Sequence, residues 1–172
     1  MGSKYAGRGG PMRGNLIKVL SLVKYLLLVL LLIFIVGLMQ GDKISSASIE
    51  DVTEKVTKAT DMTDLSAADN RTVRRLYGLN VNDYEGVSLY VSDSNMKVEE
   101  VLIVKLKDVA QADAVESAVK SRVDTQLQSF EGYGPEQCKL LDDHVLDTEG
   151  NYVLFVVNSK AQAADQAFQK SL

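Results

Sequence analysis

The run KYLLLVLLLIFIVGLM, Lys24 to Met39, constrains this chain more than any other stretch. From Tyr25 to Met39 there are fifteen consecutive residues without a charge, and extension back to Leu16 adds only Lys18 and Lys24 as charged interruptions. A helix rising about 1.5 Å per residue needs roughly 20 residues to cross a ~30 Å hydrocarbon layer. Residues 16–39 therefore predict a transmembrane helix or signal anchor, with Lys24 snorkelling toward the headgroups. A buried core helix of this kind, apolar on every face, needs a larger protein around it than the rest of the chain provides.

Charge then sets the expected orientation. Residues 1–39 carry Lys4, Arg8, Arg13, Lys18 and Lys24 and no acid, a balance of +5; the remaining residues hold 14 basic and 23 acidic side chains, or −9. By the positive-inside rule, residues 1–15 are a basic cytoplasmic tail and the acidic domain lies outside the cell membrane. The expected partners are thus the lipid bilayer, through the N-terminal helix, and an unknown envelope protein. An uncleaved anchor is favoured by the length of the run. Cleavage near Ser45-Ser46-Ala47 is the alternative, which leaves a secreted domain binding a small ligand. Cys138 is the sole cysteine and lies far from the apolar segment, which argues against a lipid anchor there and excludes an internal disulfide. The acidic balance argues against nucleic acid, and nothing in the residues points to a cofactor or a metal.

After a linker over 40–47, residues 48–172 are of single-domain size. SIEDVTEKVTKATDM predicts a helix capped by Ser48, with Ile49, Val52, Val56 and Ala59 on one face. SAADNRTVRRLYGLN predicts a second, capped by Ser66 and ended by Gly78, with Thr57 to Asp64 as the loop between them. Strands are expected over Glu85–Ser92 and Lys97–Asp108, joined at Asp93-Ser94-Asn95. Asp108 and Gln111 open a long helix with the stripe Ala112, Val115, Val119, Val123, Leu127 and Phe130. A third strand is read over Cys138–Leu146, a fourth in NYVLFVVN after a turn at Glu149-Gly150-Asn151, and a last helix in KAQAADQAFQKSL.

The fold expected is α+β: an N-terminal transmembrane helix followed by a small two-layer domain in the order α-α-β-β-α-β-β-α. Helices should cover one face of the sheet. Positions 101–113 and 153–165 agree at five of thirteen residues with an offset of 52, which leaves a duplicated ββα unit open.

RRLYGLN (Arg74 to Asn80), SFEGYGPEQC (Ser129 to Cys138) and GNYVLFVV (Gly150 to Val157), in this order behind an apolar segment, resemble domain of unknown function family 4358. Its members are bacterial proteins, largely exported or membrane-attached, and often carry a lipoprotein cysteine that this chain lacks. The resemblance implies location and fold kinship over Ser48 to the C-terminus and supplies no activity.

Chemistry is sparse. There is no Gly-x-Ser-x-Gly elbow, phosphate-binding glycine loop or His-Glu-x-x-His. His144, with Asp142, Asp143 and Asp147 nearby, has too few neighbours on one strand face to hold a metal. Glu99-Glu100 is uninformative in so acidic a domain. The one segment singled out is a partner-binding loop over Tyr133, Gly134, Pro135, Glu136 and Gln137, where glycines and a proline fix irregular backbone after the long helix. If the second and third strands run parallel, that loop, Asp93–Asn95 and Asn158-Ser159 emerge at one end of the sheet. The function expected is a binding or accessory module at the cell envelope, not an enzyme. The alternative is a cell-wall hydrolase using Glu131 and Glu136.

Overall fold

A computed structural model describes residues 22–32 and 44–172. Residues 22–32 are helical with exposed side chains, and eleven residues reach only about 16 Å. Among the described residues no helix is long and apolar enough to cross a membrane. This corrects the expected transmembrane helix; the other residues of the 16–39 run lie outside the described residues.

The domain begins at Ser45 and Ala47, which are tied to the sheet from the far side of the sequence. Ser45 N donates to Asn151 Oδ1 at 2.8 Å and Tyr152 Oη donates to the Ala47 carbonyl at 2.7 Å. Then follow α1 (Ile49–Ala59), β1 (Leu65–Ala67), α2 (Asn70–Tyr77), β2 (Gly86–Ser92), β3 (Glu100–Lys105), α3 (Ala112–Phe130), α4 (Pro135–Asp142), β4 (Val145–Glu149), β5 (Tyr152–Val157) and α5 (Ala161–Gln169). Single 3-10 turns cover Val81–Asp83 and Val109–Gln111.

All neighbouring strands are antiparallel, in the order β1-β2-β3-β5-β4. Every residue of β3 and β5 is buried. Side chains alternate across a strand, so burial of consecutive residues requires cover on both faces. Leu102, Val104, Val153, Phe155 and Val157 pack with Val73 and Tyr77 of α2, Val115, Val119 and Val123 of α3, and Leu141 of α4. Val101, Ile103, Tyr152, Leu154 and Val156 pack with Val52 and Val56 of α1 and Ala161, Ala164 and Phe168 of α5. The domain therefore has three layers, helices–sheet–helices, and not the two expected; the uninterrupted apolar runs VLIV and YVLFVV are the reason.

The ββα repeat is corrected on the same grounds. A half-turn about the sheet normal carries β2–β3 onto β4–β5, because the central strands are antiparallel. It would leave both helices on one face, whereas α3 and α5 lie on opposite faces. The two units are of opposite hand. The matched leucines lie on opposite faces of the sheet, Leu102 toward α3 and Leu154 toward α5.

Local chemistry explains most boundaries. Ser48 Oγ accepts from Asp51 N at 3.1 Å, and Gly78, at φ +70°, ends α2. Asp108 and Gln111 form the expected capping box. Ser66, expected to cap α2, is instead in β1; Asp69 is the cap, accepting from Thr72 N at 2.8 Å. The strand expected over Cys138–Leu146 is α4 followed by β4. Pro135 does not close the preceding helix but begins the next, where its missing N–H is not needed. Cys138 and Leu141, three apart, share the buried face of α4.

One carboxyl group against the outer strand carries a pH dependence. Gln169 Nε2 of α5 donates to Asp147 Oδ2 of β4 at 3.1 Å and to Asp165 Oδ2 at 3.3 Å. Burial, then the hydrogen bond and charge of Asp147 and the charge of Glu149, raise the Asp165 pKa to about 6. A folded-state value above the unfolded one means that the native state binds the extra proton, so the stability from this group is full below the unfolded value of 3.8 and falls as pH rises through about 6. Asp165→Asn should raise the melting temperature at pH 7 and flatten its decline between pH 4 and 7. Thermal melts of the two proteins that run parallel across that range would contradict this.

Candidate cleft at one end of the sheet

β3 and β4 are both antiparallel to β5 and so run the same way. The β2–β3 connection, the end of β5 and the chain before β4 consequently share one end of the sheet. The segment from Ser45, bound to the β4–β5 turn, enters at the other.

At the shared end a cleft of about 370 Å³ lies between the last turn of α2, the C-terminal half of α3 and the β2–β3 connection. Glu100 heads β3 and has the strand parity of Leu102 and Val104, which points it at α3. It is 1% exposed. Arg122 and Gln126, one turn apart on α3, meet it there. Arg122 Nε donates to Glu100 Oε1 at 3.2 Å and Nη2 to Oε2 at 3.2 Å, a two-pronged pair. With the Gln126 amide oriented to suit both neighbours, its nitrogen donates to Glu100 Oε1 and its oxygen accepts from Arg122 Nη2, each at 3.0 Å.

Burial raises the Glu100 pKa, against the opposing charge and hydrogen bonds of Arg122. Tyr77 of α2 lies behind the pair; burial first, and then the Glu100 charge, push its hydroxyl well above the usual phenol range. That hydroxyl completes no hydrogen bond.

The expected loop divides into structural and exposed parts. Gly132 has φ +87°, in the left-handed region that glycine tolerates. A Cβ on Gly134 would sit 2.7 Å from Phe130 Cδ1, so any side chain there must displace the Phe130 ring. Pro135 starts α4, and Gln137 Oε1 accepts from Val98 N at 3.0 Å, fastening α4 to the β2–β3 connection. Tyr133 is 61% exposed, with its ring 5.7 Å from that of Phe130. Phe130 in turn lines the cleft. Glu131 and Glu136 are exposed, and neither lines it.

His144 precedes β4, its Nδ1 2.5 Å from the Leu141 carbonyl oxygen and its ring edge-on to Phe155 at 5.5 Å. Among the described residues no three His, Cys, Asp or Glu side chains are grouped to hold a metal. The residues that sequence reasoning passed over are Glu100, Arg122, Gln126, Tyr77 and Arg75. The available signal was Glu100 at the head of a wholly apolar run, with polar residues at positions 122 and 126 of a facing helix.

The profile of a domain of unknown function, DUF4358, matches residues 58–158, more than half of the chain. The chain belongs to this family. No curated protein and no solved structure matches it. The DUF4358 span runs from the last turn of α1 to the residue after β5, so it contains the whole sheet, the helices α2, α3 and α4, and the cleft. α5 and most of α1, which cover the opposite face, fall outside it.

Breaking the buried pair from one side leaves a charge without its partner, at roughly 3–5 kcal/mol, whereas replacing both by apolar residues is often neutral. Arg122→Met should therefore destabilise strongly, and Arg122→Met with Glu100→Leu should regain most of the loss. Urea denaturation of the single and double variants checks this; a double variant as unstable as the single would contradict it.

Proposed function

We propose that this DUF4358 domain is a binding or accessory module at the cell envelope, with the cleft end of the sheet as its binding face. The observation that carries this reading is the convergence there of exposed, irregular chain on a rigid support. Tyr133 stands out from the surface against Phe130, flanked by Gly132, held at a positive φ, and Gly134, packed against Phe130. Large aromatic side chains on a rigid base are efficient anchors for a protein partner, because little conformational entropy is lost on binding. Ser45, at the start of the domain, is bound at the opposite end of the sheet. An envelope setting is supported by the charge contrast between residues 1–39 and the rest.

Tyr133→Ala should abolish co-purification of a stoichiometric envelope protein with the full chain from native cells, at an unchanged melting temperature. Retention of that partner would show the loop to be structural only. A hydrolase working through Glu131 and Glu136 is the competing class. It requires turnover of cell-wall material that is lost in Glu136→Gln; a Glu136→Gln protein with undiminished turnover would exclude that residue.

A further inference from the structure

Arg122 is held on two of its three guanidinium nitrogens. Nε and Nη2 serve Glu100 and Gln126, and among the described residues none pairs with Nη1. Nη1 is not among the buried atoms that lack a partner, and Arg122 lines the cleft. Only 18% of the Arg122 side chain is exposed, so its guanidinium is held in place at the cleft wall. On the facing wall Arg75 is exposed and, among the described residues, forms no ion pair.

The other charges at the rim are one lysine and two carboxylates, Lys97, Asp64 and Glu99. Lys97 is paired with Asp64, and Glu99, which also lines the cleft, raises the Lys97 pKa further, after Asp64. Two guanidinium groups without a full complement of acceptors thus line the same cleft as the Glu99 carboxylate, in a domain whose overall balance is acidic. Leu76, Val91 and Phe130 supply apolar wall beside them. A guanidinium oriented by a buried carboxylate is a directional donor, suited to carboxylate and phosphate oxygens.

We propose that the cleft binds a small organic anion. Its carboxylate or phosphate oxygens accept from Arg122 Nη1 and Arg75, and its apolar body lies against Leu76, Val91 and Phe130. Glu100 acts as a positioning residue, since it holds Arg122 from the floor of the cleft, where its own side chain is 1% exposed. A volume of about 370 Å³ is within the range of small-molecule sites. This inference rests on reading the sheet end as a binding face, but it concerns a different part of that face from Tyr133.

The test is titration of the isotope-labelled full chain with benzoate, phenyl phosphate, acetate, inorganic phosphate and neutral benzamide, followed by NMR. Saturable shifts of the Arg122 Nε–H and of the amides from Ser92 to Asn95 are expected with benzoate or phenyl phosphate, at least tenfold tighter than with benzamide. Comparison of those two anions separates a carboxylate site from a phosphate site. Acetate binding as tightly as benzoate, and inorganic phosphate as tightly as phenyl phosphate, would overturn the apolar wall. Arg75→Ala, an exposed substitution, should weaken the tighter anion at least fivefold with no change in melting temperature. Absence of saturable shifts with every anion, or binding indifferent to Arg75→Ala, would overturn the proposal. Neither result bears on partner capture through Tyr133, so the two readings fail separately.

Discussion

Everything in this domain depends on the antiparallel pair β3–β5. Six residues of one strand face six of the other, from Glu100 against Val157 to Lys105 against Tyr152, and all are buried. Two strands apolar on both faces cannot serve an open two-layer sheet; each face must be roofed by helices, and the chain provides α2, α3 and α4 for one and α1 and α5 for the other. Each fully buried Val, Leu or Phe is worth about 1.5–3 kcal/mol of transfer from water, so this pair dominates the core. The polar residues at its ends are handled individually. Lys105 is neutralised by Glu85 at 2.6 Å with its ammonium over the Tyr152 ring, and Glu100 is neutralised by Arg122.

That treatment separates the two ends of the sheet. At the Lys105 end the polar contacts close the fold: Asn151 and Tyr152 bind the incoming chain, and Ser45 Oγ donates to the carbonyl of Leu172 at 3.2 Å. At the Glu100 end the ion pair faces a cleft. Burying Glu100 and Arg122 for stability alone is a poor exchange, since desolvation offsets most of their attraction. The pair gives orientation instead, fixing a guanidinium that would otherwise sample many rotamers. A packing constraint in the centre of the sheet thereby becomes a chemical feature at its edge.

How far the sequence disclosed this follows from the range of each signal. Helix periods, Ser48, the Asp108–Gln111 box and Gly78 act within one turn, and α1, the end of α2 and α3 were legible from them. β1 was not, because Leu65–Ala67 is a strand only through pairing with Tyr90 to Ser92 and has no pattern of its own. Pro135 read as a stop because helix ends and helix starts use the same residue, and only the buried spacing of Cys138 and Leu141 decides between them. The layers were legible in principle: uninterrupted apolar strands imply two covered faces. The cleft was not, since Glu100 and Arg122 are 22 residues apart and meet only after the hairpin and α3 are in place. Of the expected loop only Tyr133 and Gly134 are irregular, since Pro135, Glu136 and Gln137 form the first turn of α4, and the sequence could not separate Tyr133, which is exposed, from Gln137, which holds Val98.

The central claim is that β3 and β5 form the stable frame and that the cleft end is built upon it. Native-state hydrogen exchange on the full chain measures this residue by residue. The expected result is that amides bonded within the β3–β5 pair, over residues 101–104 and 153–156, exchange only through global unfolding, while those of Ser94 to Lys97 and of Gly132 to Gly134 exchange through smaller, local openings. Central β3 amides that exchange as fast as those of the β2–β3 connection would contradict it, and would place the stable frame of the domain elsewhere.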